Sequence, residues 1–428
     1  MRAAVLVCAL AAPACSLIID TEAVRARREA GGARTLGEVD AGPLDGLGRG
    51  DAGPLDDLGR GDAATPEALA SPCGRAGVSG LRCDAPVRLV RRGQGSGLAS
   101  LAGMTGGFVA AVVEGTTVVT RWLDLRGDVR SMEQTHLAAP PSDLRATAHG
   151  AHWAVGFVSD AGRSLRCISS LPGAESSTLT PPTPVRNLAL AIGPTGVIAL
   201  GALLPDTLST SFFRSVSTSP GCPTRGENTQ PAYYVLGAAA MRVPGAAPDA
   251  FRFAVSAVQP DLLNSVVAAV EPMGTRIAWQ EVGGLGLRGV EIAPTSDGVY
   301  MLVAYGAYDE GGDHFGVWLT AHRVDLGTPP QINRQLASDV TDFDLSECGA
   351  GCRVVAYVAG EGRGRVTATF VSDDVSLTTL GTVAEYDVAC LPSAVGAGVD
   401  VASSSERVAF LITQEAQVDL YVCDLPGL

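Results

Sequence analysis

The chain has 428 residues and a formal net charge of −14, with 45 acidic residues against 31 basic ones. All 31 basic residues are arginine, so no lysine is present to bind phosphate in a P-loop or to form a Schiff base. An acidic chain without a basic stripe repels the phosphate backbone of nucleic acids. The composition therefore excludes Walker-type nucleotide binding and pyridoxal chemistry, and it predicts no nucleic-acid partner.

The N-terminus has the features of an export signal. Residues 3–14 form an apolar run behind Arg2, and this run is shorter than the roughly 20 residues of a membrane-spanning helix. The cysteine that follows resembles the modified cysteine of bacterial lipoproteins. The sequence predicts a signal peptide over residues 1–14 and an outer-membrane or cell-surface protein whose lipid is attached to Cys15. The alternatives are a soluble secreted or periplasmic protein, cleaved after Ala12–Ala14, and an N-terminus that is not exported.

Residues 15–84 are predicted to form the lipid-attachment cysteine and a flexible linker. An eleven-residue segment at 40–50 recurs almost unchanged at 51–61, and its glycine and proline content is incompatible with a helix. Such a composition buries too little apolar surface to offset the entropy lost on ordering. We expect a tether between a lipid anchor, the only predicted membrane attachment, and a folded body. A duplicated low-complexity stretch without a role is the alternative.

Ten cysteines become eight once Cys8 leaves with the signal and Cys15 is lipidated. An even number in an oxidising compartment predicts disulfide bonds. A four-cysteine metal site is the alternative, and it requires reduced thiols. Pairing of nearest neighbours along the chain predicts four bonds, which are Cys73–Cys83, Cys167–Cys222, Cys348–Cys352 and Cys390–Cys423.

A triplet of the form apolar-alanine-apolar recurs through the rest of the chain. Successive central alanines are 44 to 55 residues apart, which is the length of one four-stranded propeller blade. Glycine, aspartate and serine precede most triplets, as tight hairpin turns require, and a more polar run follows each triplet. We expect the triplet strands to lie nearest the propeller axis. The seven central alanines are Ala110, Ala154, Ala199, Ala254, Ala304, Ala356 and Ala409.

These repeats predict an all-β fold over residues 85–428, a seven-bladed β-propeller with one blade for each triplet. The 19 residues after Ala409 are too few to complete a blade. We therefore expect the strand Pro86–Arg91 to pair with Leu420–Cys423, so that the N- and C-terminal strands close the ring. A pair of β-sandwiches is the alternative, because sandwiches also contain many short strands.

Three motifs contain residue types that can bind a ligand or a metal, but each is explained by a loop or a turn. The Gly-x-Gly-x-x-Gly match at Gly284–Gly289 is followed by a strand, so no helix is available to bind a pyrophosphate. His136, His149 and His152 lack the carboxylate or thiol that would complete a metal site, and we interpret them as turn histidines. The acidic tip Asp309–His314 offers oxygen ligands for calcium but does not have EF-hand spacing. We expect no cofactor and no metal.

Two short segments resemble turns of known propeller families. Asp160–Leu165 is similar to the Asp-box turn of sialidase-type propellers, a structural element of that family. Pro294–Val303 is similar to the Ser-Pro-Asp-Gly turn and following strand of TolB-type propellers, which are periplasmic assembly modules. These resemblances imply a propeller fold and carry no activity with them.

The function predicted from the sequence is ligand binding without catalysis. No nucleophile elbow and no zinc-protease motif is present, and propellers display loops at one face of the ring. We expect a monomeric cell-envelope protein that binds a protein or a glycan through such loops. A hydrolase that uses carboxylates from several blades is the alternative, and convergence of carboxylates in the central channel would favour it. A purely structural envelope protein is a third hypothesis.

Overall fold

Short antiparallel strands joined by turns build the described part of the chain. A computed structural model describes residues 81–172, 176–205, 210–229, 234–244, 250–258, 265–270, 277–281, 285–308, 314–324, 333–348, 351–360, 364–372 and 382–425. These residues contain 28 strands, and every one of these strands belongs to a four-stranded sheet. No helix in these ranges is long and apolar enough to cross a membrane.

Six sheets, numbered here as blades 1 to 6, each consist of four consecutive strands. Blade 1 contains β2 Gly95–Met104, β3 Gly107–Glu114, β4 Thr117–Asp124 and β5 Val129–His136. Blade 2 contains β6 Asp143–His149, β7 His152–Ser159, β8 Ser164–Ser169 and β9 Ser176–Leu179. Blade 3 contains β10 Arg186–Ile192, β11 Ile198–Pro205, β12 Thr210–Val216 and β13 Glu227–Thr229.

The other three blades follow the same plan. Blade 4 contains β14 Tyr234–Arg242, β15 Phe251–Val258, β16 Ser265–Val270 and β17 Ile277–Glu281. Blade 5 contains β18 Leu285–Pro294, β19 Tyr300–Tyr308, β20 Phe315–Arg323 and β21 Asn333–Ala337. Blade 6 contains β22 Val340–Glu347, β23 Cys352–Ala359, β24 Gly364–Ser372 and β25 Thr382–Leu391.

The remaining sheet is composite, because its strands come from both ends of the described chain. It contains β1 Val87–Val90, β26 Gly398–Ser403, β27 Arg407–Gln414 and β28 Gln417–Asp424, in the order β1-β28-β27-β26. β1 pairs antiparallel with β28, and Val87 lies opposite Leu420.

The expected blade count needs a correction. Counted as continuous units of four strands, the described blades number six, not the seven that the alanine triplets predict. The seventh triplet lies in the composite sheet. In that sheet the outer strand is β1, from the other end of the described chain, which pairs with β28. The pair of β-sandwiches is wrong, because all described strands lie in separate four-stranded sheets.

The alanine triplets occupy the second strand of each sheet, not the innermost strand as expected. The first strands contact one another in a closed cycle that runs through β2, β6, β10, β14, β18, β22, β26 and back to β2. This cycle surrounds the propeller axis. The second strands are packed between neighbouring sheets, and all seven central alanines are 0 % exposed. Small side chains suit this position because they let adjacent sheets approach closely.

Three disulfides are fully described, and one of them corrects the expected pairing. Cys167 bonds to Cys222 and Cys348 bonds to Cys352. Cys83 bonds to Cys423, so the pairings of Cys83 with Cys73 and of Cys423 with Cys390 are wrong. The physical reason is the closure of the ring, which brings residues 340 positions apart in sequence side by side. Cys390 is also disulfide-bonded. These bonds indicate an oxidising environment.

Loss of the Cys83–Cys423 bond should destabilise the protein more than loss of the Cys348–Cys352 bond. The first bond closes a loop of 340 residues and the second a loop of 4, and the entropy that a disulfide removes from the unfolded chain grows with loop length. We expect the double variant Cys83→Ser/Cys423→Ser to lose about 2–5 kcal/mol in chemical denaturation. Cys348→Ser/Cys352→Ser is the matched control, and an equal or larger loss there would contradict the prediction.

Candidate functional site

The first strands have a free edge that faces the channel. Each is the terminal strand of its sheet, so the N–H groups on that edge need acceptors from outside the sheet. Carboxylates on the first strand of the preceding sheet supply them. Asp143 Oδ2 accepts from the N–H of Leu188 at 2.7 Å, and Asp344 Oδ2 accepts from the N–H of Val401 at 2.7 Å. Blade 2 is thus joined to blade 3, and blade 6 to the composite sheet, by side chains.

Further bonds of this kind link other neighbouring first strands. Each again runs from a backbone N–H to a side-chain oxygen of the preceding sheet, and one acceptor is a hydroxyl. The donors and acceptors are Val399 and Asp342 (2.9 Å), Leu101 and Asp400 (3.0 Å), and Ala146 and Ser100 (2.9 Å).

An arginine and a glutamate meet across the channel. Arg145 on β6 donates to the carboxylate of Glu291 on β18, and these strands belong to blades 2 and 5, which are not neighbours. The Arg145 side chain is 35 % exposed and that of Glu291 is 16 % exposed, so both remain in contact with the channel space. Asp344 is hydrogen-bonded to Asp400, and both carboxyls act electrostatically on Arg145. These residues form the channel cluster: Arg145, Glu291, Asp342, Asp344 and Asp400.

Burial shifts the titration of the cluster towards neutral pH. It raises the pKa of Glu291 to about 7, although the attraction of Arg145 opposes the shift. It raises the pKa of Asp342 to about 6. The pKa of Asp344 lies well above its ordinary value because burial and the Asp400 carboxyl both disfavour its charge. The surrounding carboxylates, Glu291 first, raise the pKa of Arg145. The channel cluster is therefore acidic, with Arg145 as its positively charged member.

Two cavities meet at the cluster. One has a volume of about 550 Å³ and the other about 400 Å³, and Arg145, Glu291 and Asp400 line both. The larger one, called here the mouth cavity, opens among the turns that join first and second strands. Hydroxyl-bearing residues contribute to its wall, and these are Ser100, Thr105, Thr147, Ser346, Ser403, Ser404 and Ser405.

The turns around the mouth cavity are closely packed. The N–H of Thr105 donates to the carbonyl of Gly150 at 2.7 Å, and the Ser403 hydroxyl donates to the carbonyl of Glu347. A Cβ on Gly103 would lie 1.7 Å from the carbonyl oxygen of Ser403, so only glycine fits there. The mouth is thus a preformed rim rather than a set of loose loops.

The predicted histidine group is only partly brought together. His149 and His152 flank the β6–β7 turn at the mouth, and burial lowers the pKa of His149. His136 lies on the outer strand β5, where it is bonded to the Thr117 hydroxyl at 3.0 Å. Within the described ranges, no three His, Cys, Asp or Glu side chains are grouped so as to hold a metal ion.

Other predicted features are turns or lie outside the described residues. Asp160–Gly162 forms a single 3₁₀ turn between β7 and β8, and Asp297 caps the β18–β19 turn by accepting from the N–H of Val299 at 2.9 Å. Gly286 and Gly289 lie in β18. The features outside the described residues are Gly284, Cys15, Cys73, the signal peptide 1–14, the linker as far as residue 80 and the acidic residues 309–313.

Sequence reasoning missed the whole channel cluster. A signal was present, because several of these residues are single charges between apolar neighbours in the strand that precedes an alanine triplet. A charge at such a position points to the channel when its apolar neighbours point between the sheets. The segments are Leu144-Arg145-Ala146, Val290-Glu291-Ile292, Phe343-Asp344-Leu345 and Val399-Asp400-Val401.

No protein-family model and no curated protein matches this sequence. Solved structures do match. The chain is similar to hydrazine synthase of Kuenenia stuttgartiensis, at 13 % identity and a TM-score of 0.53, over 78 % of this chain and 97 % of that one. It is also similar to the WD40 domain of Toxoplasma gondii coronin, at 13 % identity and a TM-score of 0.50, over 85 % and 90 % of the two chains.

A third similar structure is the Dos1 propeller, at 10 % identity and a TM-score of 0.43, over 74 % of each chain. At identities this low, likeness to the first two structures shows the fold alone. Together with the closed cycle of first strands, it shows that the described chain is a β-propeller.

The channel cluster should make stability depend on pH. A carboxyl whose pKa is raised by folding holds its proton in the folded state where the unfolded chain has released it, so stability falls as the pH rises from about 5 to 8. Glu291→Gln removes one such group. Relative to the natural protein, we expect the variant to gain on the order of 1–3 kcal/mol of unfolding free energy at pH 8 and little at pH 5.

Glu291→Gln must be compared with the natural protein, because His322 makes the unfolding free energy depend on pH in the opposite direction. Its pKa is lowered to about 4 by burial, so it destabilises the folded state as the pH falls below about 6.5. This contribution is the same in both proteins and cancels in the difference. A difference that stays constant from pH 5 to 8 would contradict the assignment of Glu291.

Proposed function

We propose that this protein is an exported, lipid-anchored β-propeller that binds a glycan in the mouth cavity and does not transform it. The disulfides support export, since they require an oxidising compartment. The anchor rests on Cys15 and the apolar run before it. Mass spectrometry of the mature N-terminal peptide tests the anchor by showing whether Cys15 carries a diacylglyceryl group.

The mouth cavity is the observation that carries the binding proposal. A volume of about 550 Å³ lies in the range of roughly 300–1,000 Å³ that accommodates small ligands, and it is enough for a short saccharide but not for a folded partner. Its wall offers serine and threonine hydroxyls, and a hydroxyl can both donate and accept, although those of Ser100, Ser403 and Ser404 are already engaged in the wall. The charged pair Arg145–Glu291 closes its base. This combination suits a polyhydroxylated ligand.

The use of the carboxylates argues for binding rather than catalysis. Asp342, Asp344 and Asp400 each accept a backbone N–H of the next sheet. Glu291 is engaged by Arg145. A general acid or a nucleophile needs an oxygen directed at the substrate, whereas these oxygens hold the channel wall together.

Hydrolysis is the second candidate function, and one observation supports it. Carboxyls from blades 5 and 6 and from the composite sheet converge at the base of the mouth cavity. Glu291, with a pKa of about 7, has the value expected of a general acid near neutral pH.

Filling the mouth cavity should abolish glycan binding. Thr147→Trp places a bulky ring in the wall of the mouth cavity, and Thr341→Trp places the same ring in the cavity on the other side of the cluster. On an array of bacterial and host glycans, we expect the natural protein and Thr341→Trp to bind the same saccharide. Thr147→Trp should bind it at least about tenfold more weakly, because the ring occupies the space of the ligand.

The outcomes separate the hypotheses. Equal loss in both tryptophan variants, or binding of peptides and of no saccharide, would contradict the glycan proposal. The bound saccharide is then incubated with the natural protein and with Glu291→Gln. Cleavage by the natural protein that disappears in Glu291→Gln would replace the binding function with hydrolysis.

A further inference from the structure

A second cavity lies away from the channel, in the groove between blades 5 and 6. Its volume is about 710 Å³. One wall is the outer strand β21 with the two residues that follow it, and the other is the face of β23, β24 and β25. Polar side chains line most of this groove, and these are Gln335, Ser338, Asp339, Tyr357, Arg365, Thr367 and Glu385.

A carboxylate with an unsatisfied oxygen lies beneath the floor of the groove. Asp387 is 1 % exposed, and its Oδ2 has no hydrogen-bond partner among the described residues. Its Oδ1 lies 3.5 Å from the Thr367 hydroxyl and 3.7 Å from Arg365 Nε. Both of these residues line the groove, so the carboxylate is one side chain away from the cavity.

Arg365 covers this carboxylate without being fixed to it. Its Nε is close enough for electrostatic attraction but forms no hydrogen bond. Its side chain is 35 % exposed, so it can turn out into solvent. A buried carboxylate oxygen that lacks a donor is costly, and a cation that donated to it directly would remove that cost. Arg365 therefore lies beside this carboxylate, with its Nε 3.7 Å from Oδ1, and forms no hydrogen bond to it through Nε.

The charge around the groove favours the same class of ligand. Asp339, which is bonded to His314 Nδ1 at 2.7 Å, and Glu385 also line the groove, and Arg365 is the arginine of its lining. The volume exceeds that of one side chain and is sufficient for a short peptide segment. An acidic groove with a buried acceptor at its base matches a peptide that carries an arginine.

We propose that the groove between blades 5 and 6 binds an arginine-bearing peptide segment, whose guanidinium displaces Arg365 and donates to Asp387. The site is independent of the mouth cavity and of the function proposed for it. Its partner would be a protein with an arginine in an exposed, extended segment.

Calorimetric titration with acetyl-Gly-Arg-Gly-amide tests the proposal. We expect the natural full-length protein to bind this peptide and not acetyl-Gly-Gln-Gly-amide. Asp387→Asn should weaken binding at least about tenfold, because the buried acceptor loses its charge. Arg365→Ala should strengthen binding, because the internal guanidinium no longer competes. Two adjacent substitutions with opposite effects are not expected from a general disturbance of the groove.

Glu133→Gln on the exposed strand β5 is the matched control for lost charge, and it should change binding less than about twofold. If Asp387→Asn fails to fold, Thr367→Val replaces it and should strengthen binding, because the Asp387 carboxylate then has one donor fewer in the folded protein. The proposal would be overturned if the arginine peptide did not bind or if the Asp387 or Thr367 variant bound it unchanged. Weaker binding by Arg365→Ala would also overturn it.

Discussion

The hydrogen bonds from backbone N–H groups to side chains of the preceding sheet are the interaction on which the rest of this propeller depends. Every blade leaves one strand edge unpaired towards the axis, and buried N–H groups without acceptors cost free energy. Four carboxylates accept hydrogen bonds from such N–H groups on the first strand of the next sheet, and these are Asp143, Asp342, Asp344 and Asp400. With the Ser100 hydroxyl, these bonds join four of the junctions between sheets, and the apolar cluster between the composite sheet and blade 1 packs at one of them.

The carboxylates that join the sheets also make the channel acidic. Carboxylates placed for structural reasons accumulate around one channel, where their charges repel one another and their pKa values rise. Arg145 offsets part of that repulsion, and in doing so it joins blades 2 and 5 at the level where the two channel cavities meet. The acidity of the channel and the closed base of the mouth cavity therefore have the same origin, and neither requires a catalytic role.

Much of the architecture could be predicted from the sequence, because it is repeated. The alanine triplets marked one strand in each sheet, although this is the second strand and not the innermost, and the expected pairing of β1 with β28 is confirmed. Two kinds of feature could not be predicted. The Cys83–Cys423 bond depends on ring closure, which overrides proximity along the chain. The channel cluster joins single residues from distant blades, and no local spacing relates Arg145 to Glu291, 146 positions away.

Amide hydrogen exchange, resolved to single residues, measures the joining of the first strands most directly. In the natural protein the amides of Val401 and Leu188 should both exchange slowly. In Asp344→Ala, exchange should accelerate at Val401 and not at Leu188, while Asp143→Ala should show the reverse. Exchange that is unchanged at both amides, or that rises equally at both in either variant, would contradict the account, because it would mean that these carboxylates do not hold the sheets together.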